Sequence, residues 1–258
     1  MTVTEKTNSS AMNSVLSTLH VLEEVAARQP IGVSELARVM EIPKSSVQRC
    51  LVTLQQAGWL RIVDAERTRW GVTMKALAIG LRGAGEEDLR ELAKPVIKRL
   101  AADTGETVHF ALRDGDDIVV ILREDSTHAV RVFVEVGARL PLRATSAGVA
   151  ILAALGEDEA SEVLGREVKE FPEPLPSVTE LWAAIDRSAE RGYAINMSAW
   201  YRPHVASIGV AVTNAAGRPI AGITLSIPEL RYEPEREEEL AQLVLAAAAE
   251  IGEQVSAA

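Results

Sequence analysis

The sequence predicts an α+β protein in two parts: a small N-terminal winged helix-turn-helix, then a larger domain with an antiparallel sheet and packed helices. Three observations predict it. Apolar residues recur at helical spacing through the first 57 residues and then give way to two short extended runs. Alternating, strand-like runs cluster between residues 107 and 136 and again between 205 and 227. Helical stripes precede, separate and follow those strands.

In the first part, Val15, Leu19, Leu22 and Val25–Ala26 form a helical stripe that Asn13 or Ser14 can cap, and Gln29-Pro30 ends it. Ser34 caps a short helix with Leu36, Ala37 and Met40 inward. Pro43 suits the first turn of a third helix, where a missing N–H is no loss. Val47, Cys50, Leu51 and Leu54 give its i, i+3, i+4, i+7 face, and Gly58 ends it. The runs Trp59–Val63 and Arg69–Val72, joined by the charged loop Asp64–Thr68, are a hairpin that must pack on the helices to be stable. Met74, Leu77, Ala78 and Leu81 mark a further helix, broken at Gly83-Ala84-Gly85.

A helix over Asp88–Ala102 opens the second part. Val108, Phe110 and Leu112 then alternate with Thr107, His109 and Ala111, Asp114-Gly115 is a hairpin turn, and Ile118–Leu122 is a buried strand. Val130–Val136 alternates as a third strand. Helices follow at Ser146–Leu155, Glu157–Leu164 and Val178–Arg191, strands at Val205–Val212 and Ile220–Ile227 around the turn Asn214–Gly217, and a last helix carries Leu240, Val244, Ala247, Ile251 and Val255. The expected division is 11–72 for the winged helix-turn-helix, 73–87 for a linker helix and hinge, and 88–258 for the second domain.

The 258 residues are 47% hydrophobic and 25% charged, the composition of a folded globular chain. The most apolar stretch, Ala144–Leu155, is shorter than the ~20 residues a membrane span needs. Met1–Ser10 is polar, without the apolar core of a signal peptide. One cysteine, Cys50, excludes an intrachain disulfide, which fits a cytoplasmic protein. Net charge is −10, yet residues 1–75 hold nine Lys/Arg against seven Asp/Glu, so all the negative excess lies beyond them. A basic head on an acidic body is expected when only the head meets phosphates.

No acidic residue lies between Lys44 and Gly58. A helix entering the major groove needs small hydroxylated residues at its N-terminus for phosphates and longer amide or guanidinium side chains further along for base edges. Lys44, Ser45, Ser46, Gln48 and Arg49 answer that description, with Arg67 and Arg69 in the wing. The alternative is the solvated face of an ordinary helical bundle. Against an enzyme stand the missing G-x-S-x-G elbow, P-loop and C-x-x-C pair, and His20, His109, His128 and His204 are scattered without metal-ligand spacing, so no cofactor or metal is expected. An α+β catalytic domain remains the alternative to a regulator. A pure interaction module would leave the acid-free helix unexplained.

Residues Leu36-Ala37-Arg38, Ile42 through Leu51 and Ala57-Gly58-Trp59-Leu60 resemble the helix-turn-helix of the IclR family of bacterial transcriptional regulators. Arg69–Val72, Thr104–His109, Val136–Gly148 and Arg191–Ala194 continue the resemblance in order, over residues 11 to 255. It implies a GAF-like second domain that binds a small effector, commonly an organic or aromatic acid, and homodimers or tetramers on pseudo-palindromic operators in double-stranded DNA, repressing or activating. By position it implies a pocket of Leu142, Ala144, Thr145, Ser146, Asn196, Val205, Ser207, Thr224 and Ser226. Hydroxyls and the amides of the helix beginning near Ser146 suit a carboxylate, although such residues also serve merely to cap backbone ends. The stretch Asn196–His204 departs from the family pattern. Trp200, Tyr201 and Arg202 there either shape or lid the pocket, the aromatics by stacking and Arg202 by pairing with a carboxylate, or form a subunit contact.

Overall fold

The computed structural model describes residues 12–80, 86–168, 171, 175–197 and 202–257, with backbone alone at 86–88. The chain divides into two compact units, Met1–Ala84 and Gly85–Ala258. The expectations for Met1–Ser10 and for the break at Gly83–Gly85 fall outside the described residues.

The first unit runs α1 (Asn13–Arg28), β1 (Ile31–Gly32), α2 (Val33–Val39), α3 (Lys44–Gln56), β2 (Leu60–Asp64), β3 (Arg69–Val72) and α4 (Lys75–Gly80). The wing has three strands, in the order β1-β3-β2; Ile31 pairs with Trp70 across a strand of only two residues, too short to read from periodicity. Val21, Val25, Leu36, Val47, Leu51, Leu54, Leu60 and Trp70 form one core. Burying each such aliphatic side chain stabilises by about 1.5–3 kcal/mol. The expected α1 stripe needs correcting: Val25 is buried, but the inward partner is Val21, whereas Val15 and Leu19 stand 48% and 46% exposed. Cys50 is half-buried beside Thr18 Oγ at 3.5 Å. Met12, not Asn13 or Ser14, precedes the first turn of α1, and Gly32 rather than Ser34 precedes that of α2.

The turn into α3 is set by backbone chemistry. Glu41 takes the left-handed conformation (φ 55) and Ile42 donates its N–H back to Ala37 O at 3.2 Å, a Schellman end to α2 with glutamate where glycine is usual. Pro43 then fixes the entry to α3.

The second unit runs α5 (Glu86–Thr104), β4 (Thr107–Asp114), β5 (Asp117–Glu124), β6 (Arg139–Pro141), α6 (Ser146–Leu155), α7 (Glu157–Gly165), α8 (Val178–Arg191), β7 (Ala194–Met197), β8 (Val205–Thr213), β9 (Pro219–Pro228) and α9 (Glu237–Ala257). The six strands form an antiparallel sheet in the order β6-β5-β4-β9-β8-β7. Alternation assigns its faces. Val108, Phe110, Ile208, Val210, Ile223 and Leu225 pack with α5 and α9. Ala111, Ile118, Val120 and Leu140 pack with α6, α7 and α8 on the other side. A bulge after Phe110 skips Ile121, so Val120 and Leu122 serve opposite cores although they are two residues apart.

The strand expected at Val130–Val136 does not form. Residues 131–135 have no regular structure, with Val132 and Val134 buried, and the segment is tied by arginines instead of a ladder: Arg123 donates to Val134 O at 2.9 Å and Arg231 to Val130 O at 2.7 Å. Alternation here records one buried face without a partner strand to complete a sheet.

Candidate functional site

Two surfaces carry chemistry. On α3, Val47, Leu51 and Leu54 turn into the core, which leaves Lys44, Ser45, Ser46, Gln48 and Arg49 all exposed on the opposite side. The helix-turn-helix thereby presents an acid-free face with its serines at the positive end of the helix dipole. Arg67 is exposed in the β2–β3 connection, where its backbone N–H bonds Asp64 Oδ1 at 3.0 Å. Arg69 is half-buried and turned inward: its guanidinium donates to Pro30 O at 2.9 Å and meets Glu35 at 3.2 Å. It braces the wing against the start of α2. Lys75 donates to Ala57 O at 2.6 Å and lies 5.2 Å from the Trp59 ring, which closes the C-terminal end of α3.

The second surface is a cavity on the α6 face of the sheet, with about 60 Å³ open to the centres of water-sized molecules, room for on the order of five waters. Ala144, Thr145, Ser146, Asn196, Arg202, Val205, Ser207, Thr224 and Ser226 line it. Leu142 is fully buried in the α6 core and is not among the lining residues. Trp200 and Tyr201 lie outside the described residues. Sequence reasoning missed His109 and the aliphatic wall of Ala111, Ile118, Val120, Val132, Val134 and Leu140. The signal was present: Thr107, His109 and Ala111 are the strand positions facing away from Phe110.

Close approach builds the cavity. A Cβ on Gly209 would lie 2.1 Å from Ser146 C, and one on Gly148 would lie 1.9 Å from Leu142 O. Those two glycines let the first turn of α6 press onto β8 and onto the turn at Leu142–Ala144. Thr145 caps α6 by accepting the Gly148 N–H at 3.0 Å. Ser146 does not cap: its Oγ is buried without a hydrogen-bond partner.

The register lines up a polar row across the floor. Asn196 pairs with Ser207, and Ser207 with Ser226, while Thr224 lies across from His109. His109 Nδ1 is 3.2 Å from Ser226 Oγ and its Nε2 has no partner. Burial, then the nearby Arg123 charge and a smaller effect of Arg202, against Asp125, hold its pKa at about 4, so the ring is neutral at pH 7. The cavity is thus hydroxyl-rich toward β7–β9 and aliphatic toward β4–β6.

A winged helix-turn-helix with an acid-free reading helix, followed by a domain enclosing a small polar-and-apolar cavity, defines a ligand-controlled DNA-binding regulator. Comparison with known proteins agrees. The profile of the IclR helix-turn-helix domain matches residues 14–63, and that of the bacterial transcriptional regulator IclR C-terminal domain matches residues 83–253. The HTH-type transcriptional regulator KdgR of Escherichia coli K12 is 31% identical over 247 residues, covering 95% of this chain and 93% of that protein. The transcriptional repressor IclR of the same organism is 28% identical over 238 residues, covering 90% and 86%. Among solved structures, an IclR homolog from Microbacterium hydrocarbonoxydans complexed with 4-hydroxybenzoate superposes with a TM-score of 0.76 at 21% identity, covering 95% of this chain and all of that one. The Thermotoga maritima IclR gives 0.73 at 24%, with the same coverage. The chain belongs to the IclR family of bacterial transcriptional regulators, and it is an effector-controlled DNA-binding protein.

Proposed function

We propose that the effector is a small organic or aromatic acid held in the cavity on α6, and that its binding changes the affinity of Lys44–Arg49 and Arg67 for an operator. One observation carries the acid: Ser146 Oγ, 1% exposed and unmatched, at the N-terminus of a ten-residue helix whose first amides have no intrahelical acceptors. Arg202 lines the same cavity and supplies positive charge. The Microbacterium homolog is complexed with 4-hydroxybenzoate, an aromatic acid. The protein acts by binding and not by turnover, and it works in the cytoplasm, where its operator is; among the described residues no helix is long and apolar enough to cross a membrane.

The working species is a homodimer, able to pair into a tetramer, joined through the heads on a pseudo-palindromic site. Its support is the distribution of exposed apolar side chains. Val15, Leu16 and Leu19 on α1 and Met74, Leu77 and Ile79 at α4 are 43–72% exposed, although this unit is the smaller one. An effector shifts DNA affinity only through its preference for one arrangement of the two heads.

The test is a thermal-shift and mobility-shift series on the full chain with 4-hydroxybenzoate and short-chain acids, using the promoter fragment upstream of its own gene. Acids that raise the melting temperature should also change DNA affinity, and Ser146→Val should abolish both. Protection that survives Ser146→Val would remove the assignment of this cavity.

A further inference from the structure

Among the buried hydrogen-bonding atoms of the cavity without partners are Ser146 Oγ, already assigned to a carboxylate, and His109 Nε2, which that reading leaves idle. His109 stands in the middle of β4, 4% exposed, on the face that lines the cavity. Its bond to Ser226 Oγ commits Nδ1 and leaves Nε2 as the spare nitrogen. A neutral imidazole offers that nitrogen as one donor or one acceptor according to tautomer, and a serine hydroxyl at Nδ1 accommodates either. Of the cavity's lining, Ala111, Ile118, Val120 and Val134 supply no polar group, and Thr224 across the ladder makes no hydrogen bond to Nε2. No protein group meets Nε2, which leaves it available to an occupant of the cavity.

We propose that His109 is a specificity determinant of the effector site: its Nε2 meets a second polar group of the ligand, a hydroxyl or oxo oxygen, so that hydroxy or oxo acids are preferred over plain hydrocarbon acids. The proposal rests on the reading of this cavity as the effector site. Its physical basis is asymmetry. A hydrocarbon acid in the same place buries Nε2 against carbon, whereas a hydroxylated one satisfies it, and sites built around such a bond reject the analogue that lacks it. A resident water on Nε2 is the competing account, and it predicts no preference.

The experiment compares matched probes, 4-hydroxybenzoate with benzoate and lactate with propionate, by calorimetric titration of the full chain at pH 7.5. Wild type should favour the oxygenated member of at least one pair by roughly tenfold or more. His109→Phe should reduce that ratio to near one by weakening the oxygenated member alone, and His109→Gln, which keeps a hydrogen-bonding end, should restore part of it. The ¹⁵N resonance of the wild-type His109 Nε2 should shift with the oxygenated acid and not with its plain partner, a readout that needs no variant to fold. Equal affinities within both pairs, a ratio unchanged in His109→Phe, or an unmoved resonance would overturn the proposal and leave the acid site standing. Failure of all four acids to bind wild type would remove the acid reading itself, and this inference with it.

Discussion

Arg231 grips Glu106 through two bonds, Nε to Oε1 at 2.8 Å and a terminal guanidinium nitrogen to Oε2 at 2.7 Å, and with its other terminal nitrogen holds Val130 O. Glu106 is buried in the connection between α5 and β4, so this pair joins that connection, the turn after β9 and the segment at Val130 that leads into the cavity wall. Removing the arginine leaves a buried carboxylate unmatched. Arg231→Ala should cost about 2–3 kcal/mol in urea unfolding. Arg231→Lys should recover only part, since an ammonium cannot reproduce the fork. Amide exchange over residues 128–136 should quicken in both, and unchanged exchange would show that the segment is held by other means.

The buried imidazole of His109 makes stability depend on pH. Its ordinary value is 6.5 and the fold lowers it to about 4. Between those values the unfolded chain binds a proton that the folded protein refuses. The contribution is therefore fully present above about pH 6.5 and is lost as pH falls toward 4, by about 3 kcal/mol in all. His109→Gln removes that dependence. The stability gap between wild type and variant, measured at pH 7.5 and again at 4.5, should move against wild type at the lower pH. A gap independent of pH would mean the ring titrates normally.

Arg49 and Gln48 are exposed on the face of α3 proposed to read DNA, and their replacement by alanine should weaken operator binding by about 1–3 kcal/mol each while leaving the melting temperature unchanged. Lys44→Ala should weaken binding to all sequences alike and lower the salt slope by about one. Arg69→Ala is the contrast: its bonds to Pro30 and Glu35 predict a loss of head stability before any effect on recognition. Fluorescence anisotropy at several salt concentrations, alongside melting curves, separates the three outcomes.

These residues also show what a sequence reveals of such a site. The exposed face of α3 was legible because Val47, Leu51 and Leu54 bury the other. The same logic misread α1, where Val15 and Leu19 share the spacing of core residues but face outward, because periodicity reports that an apolar stripe exists and not what covers it. Val130–Val136 failed similarly: alternation was real, but Arg123 and Arg231 hold its carbonyls in place of a neighbouring strand. The hydroxyls of the cavity were reached by family resemblance. Its aliphatic wall was not, because Ile118 and Val120 look like any buried strand residues until the bulge at Ile121 decides which face they serve.

Gly209 offers the sharpest test of how the cavity is built. An added Cβ would sit 2.1 Å from Ser146 C and 2.3 Å from Ala147 N, both backbone atoms that cannot swing aside as a flexible side chain would. Gly209→Ala must therefore push the first turn of α6 away from β8 or distort the strand, in a region where Ala147, Ile151 and Leu152 are fully buried. Overpacking of this kind costs about 1–3 kcal/mol where the backbone yields, and more where it does not. The shift would also carry Ser146 away from the Ser207–Ser226 row. Acid protection should then fall further than melting temperature alone explains, while α3 keeps its affinity for DNA. Gly217→Ala is the control: its φ is positive (74), unlike that of Gly209, but nothing lies within 4 Å of the added carbon, so it should lose some stability and no ligand. If Gly209→Ala binds acids as wild type does, the close contact between α6 and β8 is not what shapes the site.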